Sequence, residues 1–103
     1  MTRRVEEAQL QRRVVGLMTR YGWYVLEMDR AGMRRTFKKG AFKVGFPDLL
    51  GLKGSRFVLI ELKSDAGAVR PEQVALHTLQ AGFGIHVHLC RTDQEVLDVI
   101  LKL

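Results

Sequence analysis

Leu10, Val14, Leu17, Met18 and Tyr21 recur at three- and four-residue steps. That spacing makes one apolar face of a helix and predicts a helix over residues 4–21. Thr2 is placed to cap it, Gly22 to stop it, and Arg3, Arg4, Arg12, Arg13 and Arg20 fall mostly outside the apolar stripe. Residues 23–28 are aromatic and β-branched and predict a strand. Residues 29–45 break the pattern: basic residues alternate with glycines, which predicts a flexible basic loop around a short strand near 34–38. Residues 48–52 predict a short strand, 53–55 a turn, and 57–63 a strand apolar on both faces at its start and therefore central in the sheet. After a small polar loop at 64–70, Pro71 suits the first turn of a helix reaching about Gln80, ended by Gly82 and Gly84. Residues 85–90 alternate as a strand. Thr92 and Glu95 have the spacing of a capping box, opening a helix whose buried side is Val96, Val99, Ile100 and Leu103. The order α-β-(β)-β-β-α-β-α predicts an α/β domain with a mixed sheet flanked by helices, because only the helix before the last strand permits a parallel crossover.

The chain has 103 residues, which suits one domain over residues 1–103 with one core. Lys and Arg number 17 against 11 Asp and Glu, a formal charge of +6, and such an excess on a small domain points to an anionic partner, most commonly nucleic acid. Cys90 is the only cysteine. It excludes an internal disulfide and a Cys-rich zinc site and fits a reducing, intracellular compartment. The charged start lacks a signal-type apolar stretch, and no segment approaches the roughly 20 apolar residues of a membrane span.

The candidate chemistry lies in Gly45-Phe46-Pro47-Asp48 and, twelve residues on, Glu61-Leu62-Lys63. Glu61 and Lys63 share one strand face with Leu59, and Leu62 points the other way with its carbonyl available. The turn at Gly54 folds the Asp48 strand back beside them, so Asp48 and Glu61 can meet one cation. Hard oxygen ligands suit Mg²⁺ or Mn²⁺. Such an ion polarises a phosphate and activates water, with Lys63 holding that water or stabilising a pentacoordinate phosphate. The plainer alternative is a surface ion pair between Glu61 and Lys63, and a Pro-Asp strand entry at Asp48. Gln73 falls in the first turn of the following helix, where anions are favoured. Glu7 lies beside the apolar stripe of the first helix and Glu6 borders its other side; periodicity leaves both open.

Taken together, these motifs resemble a VRR-NUC domain, the virus-type replication-repair branch of the PD-(D/E)XK nucleases. Glu7-Ala8-Gln9-Leu10-Gln11 resembles the family's opening helix and Gly22-Trp23 its helix-to-strand junction. Gly45-Phe46-Pro47-Asp48-Leu49-Leu50-Gly51 is similar to the Gly-x-Pro-Asp-Leu element, Ile60-Glu61-Leu62-Lys63 to the Glu-x-Lys strand, Gly67 to the loop glycine, and Pro71-Glu72-Gln73 to the Pro-x-Gln helix start. Gly82-Phe83 precedes the last strand. The motifs run in order over nearly the whole chain; Arg70 departs from the pattern where the family often has Ser at the helix cap. The resemblance implies a restriction-endonuclease-like fold and a Mg²⁺- or Mn²⁺-dependent DNA endonuclease. It places Asp48, Glu61 and Lys63 at the centre, the Leu62 carbonyl on the metal, and Glu7 (through water) and Gln73 as auxiliary residues, which selects Glu7 over Glu6. Stand-alone members, found in phages and bacteria, imply a homodimer acting on branched DNA such as Holliday junctions in repair, in the cytoplasm of a bacterium or phage-infected host. Two further classes stay open: a non-catalytic nucleic-acid-binding module of the same fold, and an RNA-processing nuclease.

Arg34, Arg35, Lys38, Lys39 and Lys43 surround the approach to Asp48 in sequence and are candidates for phosphate contacts, which need no base readout. His86 and His88 share a strand face but lack a third ligand for a metal; packing or solvent exposure is the expected role. His77 is expected half-buried in its helix, Cys90 in the core rather than as a nucleophile. Met33, Phe37 and Phe42 suit a subunit contact or the core equally. Replacing Lys38 and Lys39 together by Ala is expected to flatten the salt dependence of DNA binding; an unchanged slope in a fluorescence-anisotropy titration would show that neither touches phosphate.

Overall fold

The first helix, α1 (Arg3–Arg20), ends where the sequence changes from amphipathic to glycine-bearing. This structure, a computed structural model, describes residues 3–28, 47–63 and 71–103, apart from the side chains of Arg3, Arg4, Glu72, Gln73, Leu76 and His77. At the end of α1 the Gly22 N–H donates to the Thr19 carbonyl and the Trp23 N–H to that of Met18, both at 3.0 Å. These two bonds close a Schellman turn, and Gly22 takes the left-handed conformation that turn requires, at φ 90°. Four strands follow: β1 (Tyr24–Glu27), β2 (Leu49–Lys53), β3 (Arg56–Leu62) and β4 (Val87–Cys90). Helix α2 (Pro71–Gly82) separates β3 from β4, and α3 (Asp93–Ile100) follows β4.

The sheet order is β1-β2-β3-β4. Pairing is antiparallel between β1 and β2 and between β2 and β3, and parallel between β3 and β4. The mixed sheet and the central place of β3 are as the sequence predicts. Lys53 faces Arg56 across a two-residue loop. Gly54 has φ 62° and no non-glycine residue among the described residues has positive φ, which is the pattern of a II′ hairpin turn, where the first loop position requires glycine.

One face of the sheet packs beneath α1 and α3. Leu10, Val14 and Met18 of α1, Trp23, Leu49 of β2, Val58, Ile60 and Leu62 of β3, Cys90 of β4, and Val96 and Ile100 of α3 form a single core. Two expected core positions are exposed instead. Tyr21 lies past the end of α1 in the turn and is 42% exposed, and Leu103 lies past the end of α3 and is 40% exposed. A helical stripe buries side chains only as far as the helix itself continues. At α3 the predicted capping box is present: the Glu95 N–H donates to Thr92 Oγ1, and the Thr92 N–H to Glu95 Oε1, each at 3.1 Å. The expected loops at 29–45 and 64–70, the strand near 34–38 and the cap at Arg70 lie outside the described residues. No helix among the described residues is long and apolar enough to cross a membrane.

The direction of the elements decides where the site lies. β1, β3 and β4 run together and β2 runs against them. One end of the sheet therefore holds the start of β2 and the ends of the other three strands. The chain leaves that end after β3 and β4 and re-enters as α2 and α3. α1 begins toward that same end and runs away from it, since Gln11 Nε2 donates to Glu27 Oε1 at the end of β1 (3.0 Å), while Lys53 Nζ donates to the carbonyl of Tyr21, just past the helix, at the opposite end (2.9 Å). The N-termini of α1 and α3, each with its positive dipole end, thus lie toward the end where β2 begins.

Gly51 on β2 lets α1 and Trp23 close onto the sheet. A Cβ there would come within 2.8 Å of Met18 Cε, 2.9 Å of Val58 Cγ1 and 3.2 Å of Trp23 Cε3. Gly51→Ala is expected to destabilise the protein by about 1–3 kcal/mol through overpacking, measured by urea denaturation; an unchanged midpoint would show that these neighbours move aside freely.

Candidate active site

Leu49 pairs with Ile60 in the β2–β3 ladder. Continuing that register by one residue sets Asp48 opposite Glu61, an arrangement that generally brings Cβ atoms within about 4.5–5.5 Å on one face. Asp48 is held there by two bonds. Its carbonyl accepts from the Met28 N–H at 2.7 Å, tying it to the end of β1. Its Oδ2 accepts from the Leu62 N–H at 2.8 Å, tying the carboxylate to β3. Pro47, immediately before, is fully buried.

Glu61 and Lys63 occupy the sheet face opposite the α1 core, as alternation requires, while Leu62 between them is buried in that core. Lys63 Nζ lies 3.8 Å from Glu61 Oε2, with side-chain exposures of 8% and 1%. The pair is therefore buried, which overturns the alternative of a solvated surface ion pair. The Lys63 N–H donates to the carbonyl of Cys90 at 3.1 Å, prolonging the parallel ladder one residue beyond β3. Backbone bonds to two neighbouring strands thus fix both Asp48 and Lys63.

Of the auxiliary residues, Glu7 lies toward the same end, in the first half of α1. Glu7 is half-buried and Glu6 exposed, so the inward side of α1 is the one that carries Glu7. Gln11, one turn further on, reaches Glu27. Gln73 stands in the first turn of α2, its side chain outside the description. Arg34, Arg35, Lys38, Lys39 and Lys43 lie outside the described residues, as do Met33, Phe37 and Phe42. Among the described residues, no three His, Cys, Asp or Glu side chains stand close enough to hold one metal ion together.

His86 and His88 sit on β4 and just before it, their rings in edge contact at 4.5 Å. Burial, and then the neighbouring His86, push His88 below its ordinary value. Burial, reinforced by Glu95, pushes the Cys90 thiol up to about 11, so at neutral pH it stays protonated and serves the core rather than as a nucleophile. Sequence reasoning passed over Glu27. Its signal was the one used for Glu61, a charge ending an apolar strand, but its side chain faces α1 and bonds Gln11, which makes it a tie between helix and sheet.

No protein-family model matches the chain, and no curated protein does. Solved structures do. One, a VRR_NUC domain, superposes with a TM-score of 0.71 over 92% of this chain and 94% of its own length, at 20% identity. Another, a VRR_NUC domain protein, gives 0.69 over 92% and 84%, at 22% identity. The chain has the VRR-NUC fold. At these identities the shared property is the backbone path; the chemistry rests on this chain's own residues. In its version of the VRR-NUC fold, Asp48, Glu61 and Lys63 come together on one sheet face beside the ends of β1 and β4.

Asp48 has a structural duty separable from any chemical one. Asp48→Ala leaves the Leu62 N–H without its acceptor and is expected to cost about 1–3 kcal/mol, whereas Asp48→Asn keeps an acceptor oxygen and is expected to cost less. Equal thermal midpoints for the two variants would show that the bond carries no stability.

Proposed function

We propose that this chain is a divalent-metal-dependent endonuclease that hydrolyses phosphodiester bonds in DNA. The observation that carries the reading is the buried Glu61–Lys63 pair facing Asp48 across the β2–β3 ladder. A buried acid and ammonium beside a half-buried second acid carry a desolvation cost that stability does not require. The N-termini of α1 and α3 at this end of the sheet add a field that favours an anion there.

The donor set fits a hard cation. Asp48 and Glu61 supply carboxylate oxygens and Leu62 a carbonyl oxygen, and with few protein ligands the remaining positions fall to water and phosphate, as Mg²⁺ and Mn²⁺ prefer. Glu7 would act from further out through water. When bound, the ion supplies charge neutralisation at phosphate and a more acidic water. The chain's own residues do the rest. Asp48 is oriented by the Leu62 N–H. Lys63, held beside Glu61, presents an ammonium to a phosphate oxygen or to the attacking water. Gln73, in the first turn of α2, orients water or binds phosphate. Basic residues at 34–43 hold the backbone. In this reading the substrate is branched DNA such as a four-way junction, cut by a homodimer whose two-fold symmetry matches that of the junction.

A labelled four-way junction incubated with Mn²⁺ tests this. Cleavage is expected from the wild-type chain and a loss of about 100-fold or more in Asp48→Asn and in Lys63→Ala, with DNA binding retained. Wild-type binding without cleavage would reduce the chain to a binding module, and unchanged cleavage by Lys63→Ala would remove Lys63 from the mechanism.

A further inference from the structure

The outer side of α1 carries a basic surface that the catalytic reading leaves unused. Arg12, Arg13 and Arg20 are all exposed. At about 100° per residue Arg12 and Arg20 fall with Gln9 and Gly16 in the sector opposite buried Leu10, Val14 and Met18, and Arg13 falls at its flank on the α3 side. Gln9, Arg12 and Arg13 line an open depression of about 440 Å³. Arg13 is aimed by Asp93 at the start of α3, with Nε 3.2 Å from Oδ2, and that carboxylate offsets part of its charge. Arg12 and Arg20 have no ion-pair partner among the described residues.

Gly16 is the unexplained residue at the middle of this face. It is helical, without positive φ, and a Cβ added to it would meet nothing within 4 Å. Neither a turn nor a tight neighbour requires glycine there, yet glycine in a helix interior is destabilising relative to alanine. What it supplies is a low point between arginines, where another molecule can come close to the helix backbone.

We propose that this face of α1 is a second phosphate-binding surface, contacting the backbone of a DNA duplex arm that leads away from the active site. The proposal rests on the nuclease reading for its choice of partner. α1 begins at the site's end of the sheet and runs away from it. Arg12 and Arg20 stand about 12 Å apart along the helix axis. That separation lets the two guanidinium groups meet different phosphates of a duplex backbone. Guanidinium groups suit phosphate oxygens in charge and shape, and Gly16 leaves room for the strand between them.

Anisotropy titrations with a fluorescein-labelled duplex in EDTA, where no cleavage interferes, decide the matter. Arg12→Ala combined with Arg20→Ala is expected to weaken binding about tenfold or more and to make the slope of log K against log salt shallower by about 2. Arg12→Lys combined with Arg20→Lys is expected to keep most of that slope, since lysine still neutralises phosphate. Gly16→Ala is expected to raise the thermal midpoint while lowering affinity, a combination that a merely structural glycine would not give. Unchanged affinity and slope in the double alanine variant overturn the surface, even where the chain cleaves a junction. Wild-type binding that depends on these arginines without any cleavage would sink the nuclease reading and leave this surface standing.

Discussion

The burial of Glu61 and Lys63 at the end of a central strand governs the rest of the structure. Bringing two charges out of water costs several kcal/mol per ion, and their mutual attraction seldom does more than offset it. A well-packed apolar pair would serve stability at least as well. The fold nevertheless holds the pair at 8% and 1% side-chain exposure, with Asp48 on the neighbouring strand pinned to the same strand by a backbone N–H. A concentration of charge that stability does not require is the physical ground for reading this end of the sheet as a site.

Topology supplies the convergence. Because β2 runs against its neighbours, its first residues meet the last residues of β1 and β3, and residues far apart in sequence arrive at one rim. The crossover through α2 adds β4 in parallel, so the Cys90 carbonyl can hold Lys63. α1 and α3 both start toward that rim, which assembles an anion-favouring field from two separate segments. The tight turns at Gly22 and Gly54 matter for the same reason: each sets the register or angle that brings its neighbours to the rim, and neither touches the site.

Much of this was readable along the chain. The capping box at Thr92 and Glu95 is a local pattern with a local cause, and it formed as read. The apolar stripe of α1 is equally local, and it misled only at Tyr21, beyond the last helical turn, where periodicity no longer governs which way a side chain points. Leu103 failed for the same reason at the end of α3. Trp23 was read as part of a strand; it instead precedes β1 and packs over Gly51, a long-range contact that no local pattern announces. That Glu61 and Lys63 share one strand face was legible, while their burial was not, because exposure depends on what the rest of the chain lays over that face.

Local pattern set the elements, their order and the residue types able to handle phosphate, since helical and strand periodicities and capping signals act over a few residues. Three-dimensional packing settled that Glu7 leans inward while Glu6 faces water, that Glu27 ties a helix to the sheet instead of joining Glu61, and that the ion pair is shielded. Those outcomes depend on strand register and helix direction, which arise only when distant segments bury a common core.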